Sequence, residues 1–279
     1  MSTPLDPAAQ DARELVRAVL AASADARPSA TGTTSDLSID EELNLHASGW
    51  ESVELVSGYS VFSTPVGLWN WGQGEIVAAA QAHANAFRMA TSRIADEAAT
   101  AGAHGVVGVR VERAVHPSFT EVSLIGTAVR PVGAKRIGSS RVFTSDLSAR
   151  DFARLAAAGW EPLGLAVGAS FVYAPRRTMG AALQQQSQNV ELANFTEAIY
   201  AARELAMERM QHAAIELHGT GVVDVTIAEG PMAFASHAVG FAAWGTVVRL
   251  ASKAHQPVHP TMVVTLDDPT LQFDAATLE

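Results

Sequence analysis

The chain contains one sequence pattern twice, and this duplication limits its possible folds more than any other feature does. Four short segments recur in the same order, at separations that rise from 110 residues through 116 to 119. Chance matches would scatter, whereas small insertions in loops produce such a steady drift. We therefore predict two tandem modules. The matching segments are residues 34–38 with 144–148, 47–51 with 157–161, 105–109 with 221–225, and 126–130 with 245–249.

Each module shows the same order of elements in the spacing of its apolar residues. The sequence TSDLS offers helix-capping side chains, and in the second module a short helix over 151–158 follows it, closed by Gly159. A strand, one long amphipathic helix and two more strands come next. The predicted ranges are 51–62, 75–101, 104–113 and 119–131 in the first module, and 161–173, 190–217, 220–228 and 237–250 in the second.

This order predicts the α+β fold class, as a tandem duplication of a β-α-β-β two-layer module with a long helix on a small antiparallel sheet. A three-stranded sheet has two edges with unpaired backbone groups, and such edges attract further strands. We expect the modules to pair partly with each other and partly with other chains. Heterologous contacts that close on rotation give rings, so a ring-forming homo-oligomer or a larger assembly is predicted.

Composition removes several classes of function. With 29 acidic and 19 basic residues the net charge is -10, so a nucleic-acid backbone would be repelled. The absence of cysteine excludes disulfides, thiol nucleophiles and thiolate metal sites. We see neither a secretory signal nor an uninterrupted apolar run long enough to span a membrane. The expectation is a cytoplasmic protein with no nucleic-acid partner and no membrane span.

The two ends differ from the repeated part of the chain. An amphipathic helix is possible over 6–20, but 21–33 is rich in small residues, and the end of the chain is acidic with prolines near its start. We predict a flexible N-terminal segment over 1–33, modules over 34–136 and 137–253, and an extended acidic tail over 254–279. Either terminal segment is a candidate for binding a protein partner.

Two motifs in the first module carry a family resemblance. Residues 102–110 read GAHGVVGVR and residues 126–129 read GTAV, while the second module has ARELAMERM followed by a Gly-x-Val-Val strand. These motifs resemble the YbjQ-like family of small bacterial proteins, which carries a heavy-metal-binding label, over about residues 50–250. The resemblance implies the β-α-β-β fold, ring-shaped homo-oligomers that are commonly pentamers, and a divalent metal ion as cofactor, with no ligand set that maps onto this chain. Asp224 and Thr226 replace the glycine and arginine of the signature in the second module.

Candidate partner-binding residues lie in the loops and on the long helices. Trp69 and Trp71 stand among glycines in the loop over 67–74, which favours either packing on a neighbouring subunit or a small-molecule site. The corresponding segment of the second module, 176–189, instead begins with two arginines. Arg93 and Arg209 occupy equivalent helix positions, where we expect structural salt bridges. The predicted partner or ligand residues are Trp69, Trp71, Arg93, Arg209, Arg176 and Arg177.

Histidines are the remaining candidates for a metal site. No predicted helix carries two histidines four residues apart, so we expect each histidine to be an ordinary surface or hydrogen-bonded side chain. A weak site at His83 and His104 is the alternative.

No sequence motif places a nucleophile beside a base or pairs two carboxylates, so we predict no enzymatic activity. The predicted function is that of a non-enzymatic, homo-oligomeric binding or assembly protein. The alternative is a protein that binds a metal ion or a small molecule through its histidines and carboxylates or through the tryptophan loop.

Overall fold

The computed structural model of the protein describes residues 34–64, 74–134, 142–176, 189–232 and 235–251. Both modules have a short helix, a long strand, a long helix and two further long strands, in that order, and each adds one two-residue strand. The first module contains α1 (Ile39–Ala47), β1 (Trp50–Ser63), β2 (Gly74–Glu75), α2 (Val77–Thr100), β3 (Gly105–Val115) and β4 (Phe119–Pro131). The second contains β5 (Phe143–Thr144), α3 (Ala149–Ala157), β6 (Trp160–Tyr173), α4 (Ala193–Glu216), β7 (Gly221–Met232) and β8 (Ala235–Leu250).

The predicted α+β order is therefore confirmed, and its short helix occurs in both modules. The side chain of Ser38 accepts a hydrogen bond from the backbone of Glu41, whose carboxylate bonds the Ser38 backbone in return. Ser148 caps α3 in the same way through the backbone of Asp151. Gly159 has a φ of 79° just after α3, a left-handed conformation that suits glycine, so the predicted helix end is confirmed.

The two modules share irregularities as well as elements. The long strands pair in the orders β1-β4-β3 and β6-β8-β7, all antiparallel. A bulge interrupts the pairing at equivalent positions of β1 and β6, and a second bulge does so at equivalent positions of β3 and β7. These bulges lie between Ser52 and Glu54, Pro162 and Gly164, Val107 and Arg110, and Val223 and Thr226. Irregularities at equivalent positions are compatible with a duplicated module.

The elements stack in four layers, which are the first sheet, α2, the second sheet and α4. α2 packs on β1 and β4 of its own sheet and on β6 of the other, while α4 packs on β6 and β8. Gly58 and Gly168 allow each helix to lie directly on its own sheet. A Cβ atom at Gly58 would stand 2.1 Å from the Ala90 carbonyl oxygen, and one at Gly168 would stand 1.9 Å from that of Ala206.

Because α2 lies between the sheets, one hydrophobic cluster spans both modules, and a separate cluster lies between the second sheet and α4. A single buried cluster contains Val56 and Leu124 of the first module together with Leu165 and Phe171 of the second. Domain boundaries at 136/137 and at the chain ends stay a prediction. Within the described ranges, no helix is both long and apolar enough to cross a membrane.

Candidate assembly interface

The modules are joined by an exchange of short strands, so each sheet has four strands where three were expected. β2 of the first module pairs antiparallel with the free side of β6, placing Glu75 opposite Val172. The pairing continues beyond β2, where the backbone N–H of Ile76 donates to the carbonyl oxygen of Phe171 at 2.7 Å. The expectation that the modules pair partly with each other is confirmed.

In return, the second module adds β5 to the free side of β3, in parallel. The backbone N–H of Ser145 donates to the Val106 carbonyl at 2.9 Å, and the N–H of Val109 donates to the Ser145 carbonyl at 3.0 Å. The N–H of Gly108 reaches the Leu147 carbonyl at 2.9 Å. Gly108 has a φ of 63°, and this left-handed turn lets two successive N–H groups face the incoming segment. The TSDLS motif of the second module is therefore part of the junction.

A polar cluster lies across the junction where β2 meets β6. The guanidinium of Arg209 forms a bidentate ion pair with Glu75, in which Nη2 and Oε2 are 2.9 Å apart, and it also donates to the Ala169 carbonyl at 2.7 Å. The hydroxyl of Ser170 donates to Glu75 at 2.7 Å. Burial raises the pKa of Glu75, but the bonds from Arg209 and Ser170 and the charge of Arg209 outweigh it, so the pKa is lowered.

The apolar part of the junction surrounds the start of α2. Ile76, the residue before the helix, is completely buried, and Phe87 is buried on the helix face that points toward the second sheet. Both belong to the cluster that contains Leu165 and Phe171 of β6. Fully burying one such side chain contributes about 1.5–3 kcal/mol, so this contact helps fix the modules to each other.

A second apolar cluster joins α1 to α3 at the other end of the junction. The rings of Trp50 and Phe152 meet edge to face with centroids 5.1 Å apart, and Phe143 stacks on Phe152 at 5.6 Å. Leu45 of α1 is buried in the same cluster. The short helices thus bury their apolar faces against each other across the repeat.

The two TSDLS motifs differ in charge environment. Asp36 forms an ion pair with Arg110 at 2.6 Å. Asp146 accepts a hydrogen bond from Thr246, but burial raises its pKa to about 6, and the nearby carboxylate of Asp224 contributes to that rise. Two replacements contribute to this difference, since Thr226 stands where the first module has Arg110, and Asp224 stands where it has Gly108.

The predicted arginines have separate outcomes. Arg209 forms the expected salt bridge, within the junction. Arg93 donates to the carbonyl oxygen of Tyr59, in the same geometry that joins Arg209 to Ala169, and has no carboxylate partner within the described residues. Arg176 is exposed. Trp69, Trp71 and Arg177 lie outside the described residues, as do the two terminal segments, so their roles stay predictions.

His83 and His104 occupy different environments. His83 is buried in α2, and neither ring nitrogen has a hydrogen-bond partner. Burial and the charge of Arg113 lower its pKa to about 3, so the ring is neutral at physiological pH. His104 is half-buried just before β3.

The residues present do not fit a heavy-metal centre within the described ranges. The chain has no cysteine, and no three histidine or carboxylate side chains come together there in a way that could hold a metal ion. The metal site at His83 and His104 therefore stays an untested prediction.

The junction residues missed by the sequence prediction are Glu75, Ser170 and Ile76. Their signal lies in the repeat, because Glu75 and Ile76 match Glu191 and Leu192 at the separation of 116 residues that relates the two helices. A glutamate and an apolar residue just before each helix indicate an interface only once the strand exchange is known.

Two comparisons with known proteins give matches. A family model described as "Putative heavy-metal-binding", YbjQ_1, matches residues 51–131. The chain is also 35% identical over 243 residues to a Mycobacterium tuberculosis protein named "Encapsulin nanocompartment protein Rv1762c", a match that covers 84% of this chain and 92% of that protein. No solved structure shows a significant match. The chain belongs to the YbjQ-like family.

Proposed function

We propose that this protein is a non-enzymatic structural subunit that assembles with copies of itself, as part of a protein nanocompartment in the cytoplasm. The name of the mycobacterial relative supports an assembly role. The architecture supports it as well, because strand exchange between modules is a mode of association that further modules can repeat.

One observation carries the proposal: three apolar side chains of β1 are exposed on the outer face of the first sheet, which no described residue covers. Leu55, Tyr59 and Val61 project from this face of β1 and are 41%, 52% and 49% exposed. The corresponding face of the second sheet is covered by α2. Exposed apolar side chains beside Glu112 and Glu121 form a mixed apolar and polar surface, as many protein interfaces have.

Light scattering and native mass spectrometry of the full chain test the proposal, with electron micrographs of the same sample. We expect a large symmetric oligomer with few monomers at micromolar concentration. A protein that stays monomeric through the micromolar range would contradict the assembly function.

A second candidate function rests on a cavity between α2, β6 and α4. The cavity has a volume of about 200 Å³ and is lined by His83, Arg209, His212 and Glu216 among others. Because the neutral ring of His83 has one donor and one acceptor without partners, a small polar molecule there would form hydrogen bonds that the protein alone does not supply. Native mass spectrometry of purified protein should then detect a bound mass that His83→Leu abolishes.

The metal prediction has its own test. Calorimetric titration with Zn²⁺ should give weaker binding when His83 and His104 are both replaced by alanine. Equal affinity in the wild-type and double-variant proteins would remove these two residues as ligands.

A further inference from the structure

The internal junction buries one surface of each module, while the equivalent surface of the other module stays exposed. Ile76 is fully buried against the second sheet, yet its counterpart Leu192 is 41% exposed. On the facing side, Phe171 of β6 is 2% exposed, while its counterpart Val61 is 49% exposed. The surfaces that are buried at the internal junction therefore have equivalents in the other module, and no described residue covers those equivalents.

The uncovered surfaces lie at opposite ends of the stack of layers. α4 is the outermost layer on one side, and the open face of the first sheet is the outermost layer on the other. One chain cannot bring these two surfaces together, because α2 and the second sheet lie between them.

We propose that the second module of one chain docks on the open face of the first sheet of another copy, repeating the internal junction between chains. This inference rests on the proposed self-assembly and specifies its contacts. In such a head-to-tail arrangement, α4 takes the place on the first sheet that α2 takes on the second.

Two of the three groups that form the ion-pair site of the junction are also present beside β1, on the side of the first sheet that faces α2. Arg93 donates to the Tyr59 carbonyl as Arg209 does to that of Ala169, and the buried Ser60 corresponds to Ser170. The missing part is a carboxylate in the position of Glu75.

Glu191 has the required place in the second module. It stands one residue before Leu192, as Glu75 stands before Ile76, and its exposed carboxylate accepts a hydrogen bond from Thr196. We infer that Glu191 of the partner subunit pairs with Arg93 and accepts a hydrogen bond from Ser60. The site at Arg93 is incomplete without that partner.

The outer edge of β7, at the other end of the proposed interface, is equivalent to the β3 edge that is paired at the internal junction. Within the described chain, β7 has no strand on its outer side, although the equivalent β3 pairs there with β5. Val225 is 39% exposed at this edge, whereas its counterpart Val109 is 3% exposed. Asp224 adopts a φ of 55°, like Gly108, and so preserves the bulge that turns N–H groups outward.

The first TSDLS motif is positioned to pair with that edge. The backbone N–H of Asp36 donates to the Thr127 hydroxyl at 3.0 Å, as that of Asp146 donates to Thr246 at 3.1 Å. The motif therefore holds the same position in both modules, and only the second has a β3 edge beside it. Residues 34–37 of one chain are expected to lie beside β7 of the neighbouring chain.

Charge-reversal variants test this interface in the full-length protein. Glu191→Arg and Arg93→Glu should each place like charges together and shift the oligomer to monomers, with at least a tenfold rise in the concentration needed for half-assembly. The double variant carries both halves of a reversed pair, so it should recover most of the assembly. Matched controls are Glu197→Arg on α4 and Arg88→Glu on α2, exposed residues outside the predicted pair.

The outcomes separate the inference from the function on which it rests. A wild-type monomer would contradict both. A wild-type oligomer that neither Glu191→Arg nor Arg93→Glu disturbs would overturn the inference alone, and would mean that residues 252–279 or a different protein covers the open face. Loss of assembly in both single variants without recovery in the double variant would also overturn the pairing.

Discussion

The two long helices differ in burial although they occupy equivalent places in their modules. α2 has nine buried residues on two faces, because a sheet lies on either side of it, whereas α4 has five and only one sheet beneath it. The buried Phe87 of α2 corresponds to the exposed Arg203 of α4. The comparison shows that the outer face of α4 is more polar at this position than the equivalent face of α2.

Replacing the apolar residue before each long helix with alanine should give the largest difference in stability between the internal junction and its exposed equivalent. Ile76→Ala removes a fully buried side chain and should lower the free energy of unfolding by about 3 kcal/mol. Leu192→Ala should lower it by about 1 kcal/mol or less in the dissociated chain, since Leu192 is 41% exposed there. Urea denaturation gives both values, and equal losses would contradict the assignment of two different environments.

The two glycines under the helices provide a second comparison. Gly58→Ala would drive a methyl group into the backbone of a helix held between two sheets, so we expect a loss of about 2–3 kcal/mol. Gly168→Ala meets a similar clash, but α4 can shift outward, and the loss should be about 1 kcal/mol. Thermal unfolding of the two variants measures the difference. A larger loss for Gly168→Ala would mean that α4 is the more tightly held helix.

The aspartate of the second TSDLS motif, Asp146, should make the stability of the protein depend on pH. The pKa of Asp146 is about 6 in the folded chain against 3.8 for the free group, so the folded state holds its proton more tightly. Stability due to this group is fully present below about pH 4 and declines as the pH rises through 6. Asp146→Asn should therefore stabilise the protein by about 1–2 kcal/mol at pH 7 and by almost nothing at pH 4.

Asp36→Asn is the matched control for that variant. Because Asp36 is paired with Arg110, its replacement should give no stabilisation at pH 7 and a loss of less than about 1 kcal/mol. Unfolding curves at pH 4 and pH 7 measure both variants. An effect of Asp146→Asn that does not change with pH would show that the pKa of Asp146 is not raised.

The smallest effect is expected at the internal ion pair. Glu75→Gln should destabilise the chain by about 1 kcal/mol, since the carboxylate is 15% exposed and bonds to Arg209 and Ser170. The pKa of Glu75 is lowered, so its contribution is present above about pH 4.5 and is lost as the pH falls through the folded value. Glu161→Gln, at a more exposed pair with Arg249, should have about half that effect or less. Equal losses of stability at neutral pH would mean that the internal pair contributes no more than the exposed pair, which would contradict the prediction.

Most helices and strands can be predicted from the sequence, because each element occurs in both modules and its pattern can be read twice. The predicted strand over 119–131 agrees with β4 at both ends, and the two long helices begin only two or three residues later than predicted. The sequence pattern predicts both helix starts too early, since Glu75 is predicted to be helical but lies in β2. Pairing with another module overrides the local preference there.

The interface itself could not be predicted to the same degree. The equivalence of Arg93 and Arg209 is visible in the sequence, but their different partners depend on which module covers which sheet. Likewise, nothing local distinguishes Ile76 from Leu192, since burial of the first arises from contacts with residues about a hundred positions away. Long-range packing, not residue type, determines which of two equivalent positions is buried.

The most direct test of the account is a density map of the assembled protein at a resolution that separates strands. We predict that the contact between neighbouring chains superimposes on the contact between the two modules of one chain, with Glu191 of the partner subunit at Arg93. A two-fold symmetric dimer, or an assembly that leaves the face of Leu55, Tyr59 and Val61 open, would contradict it.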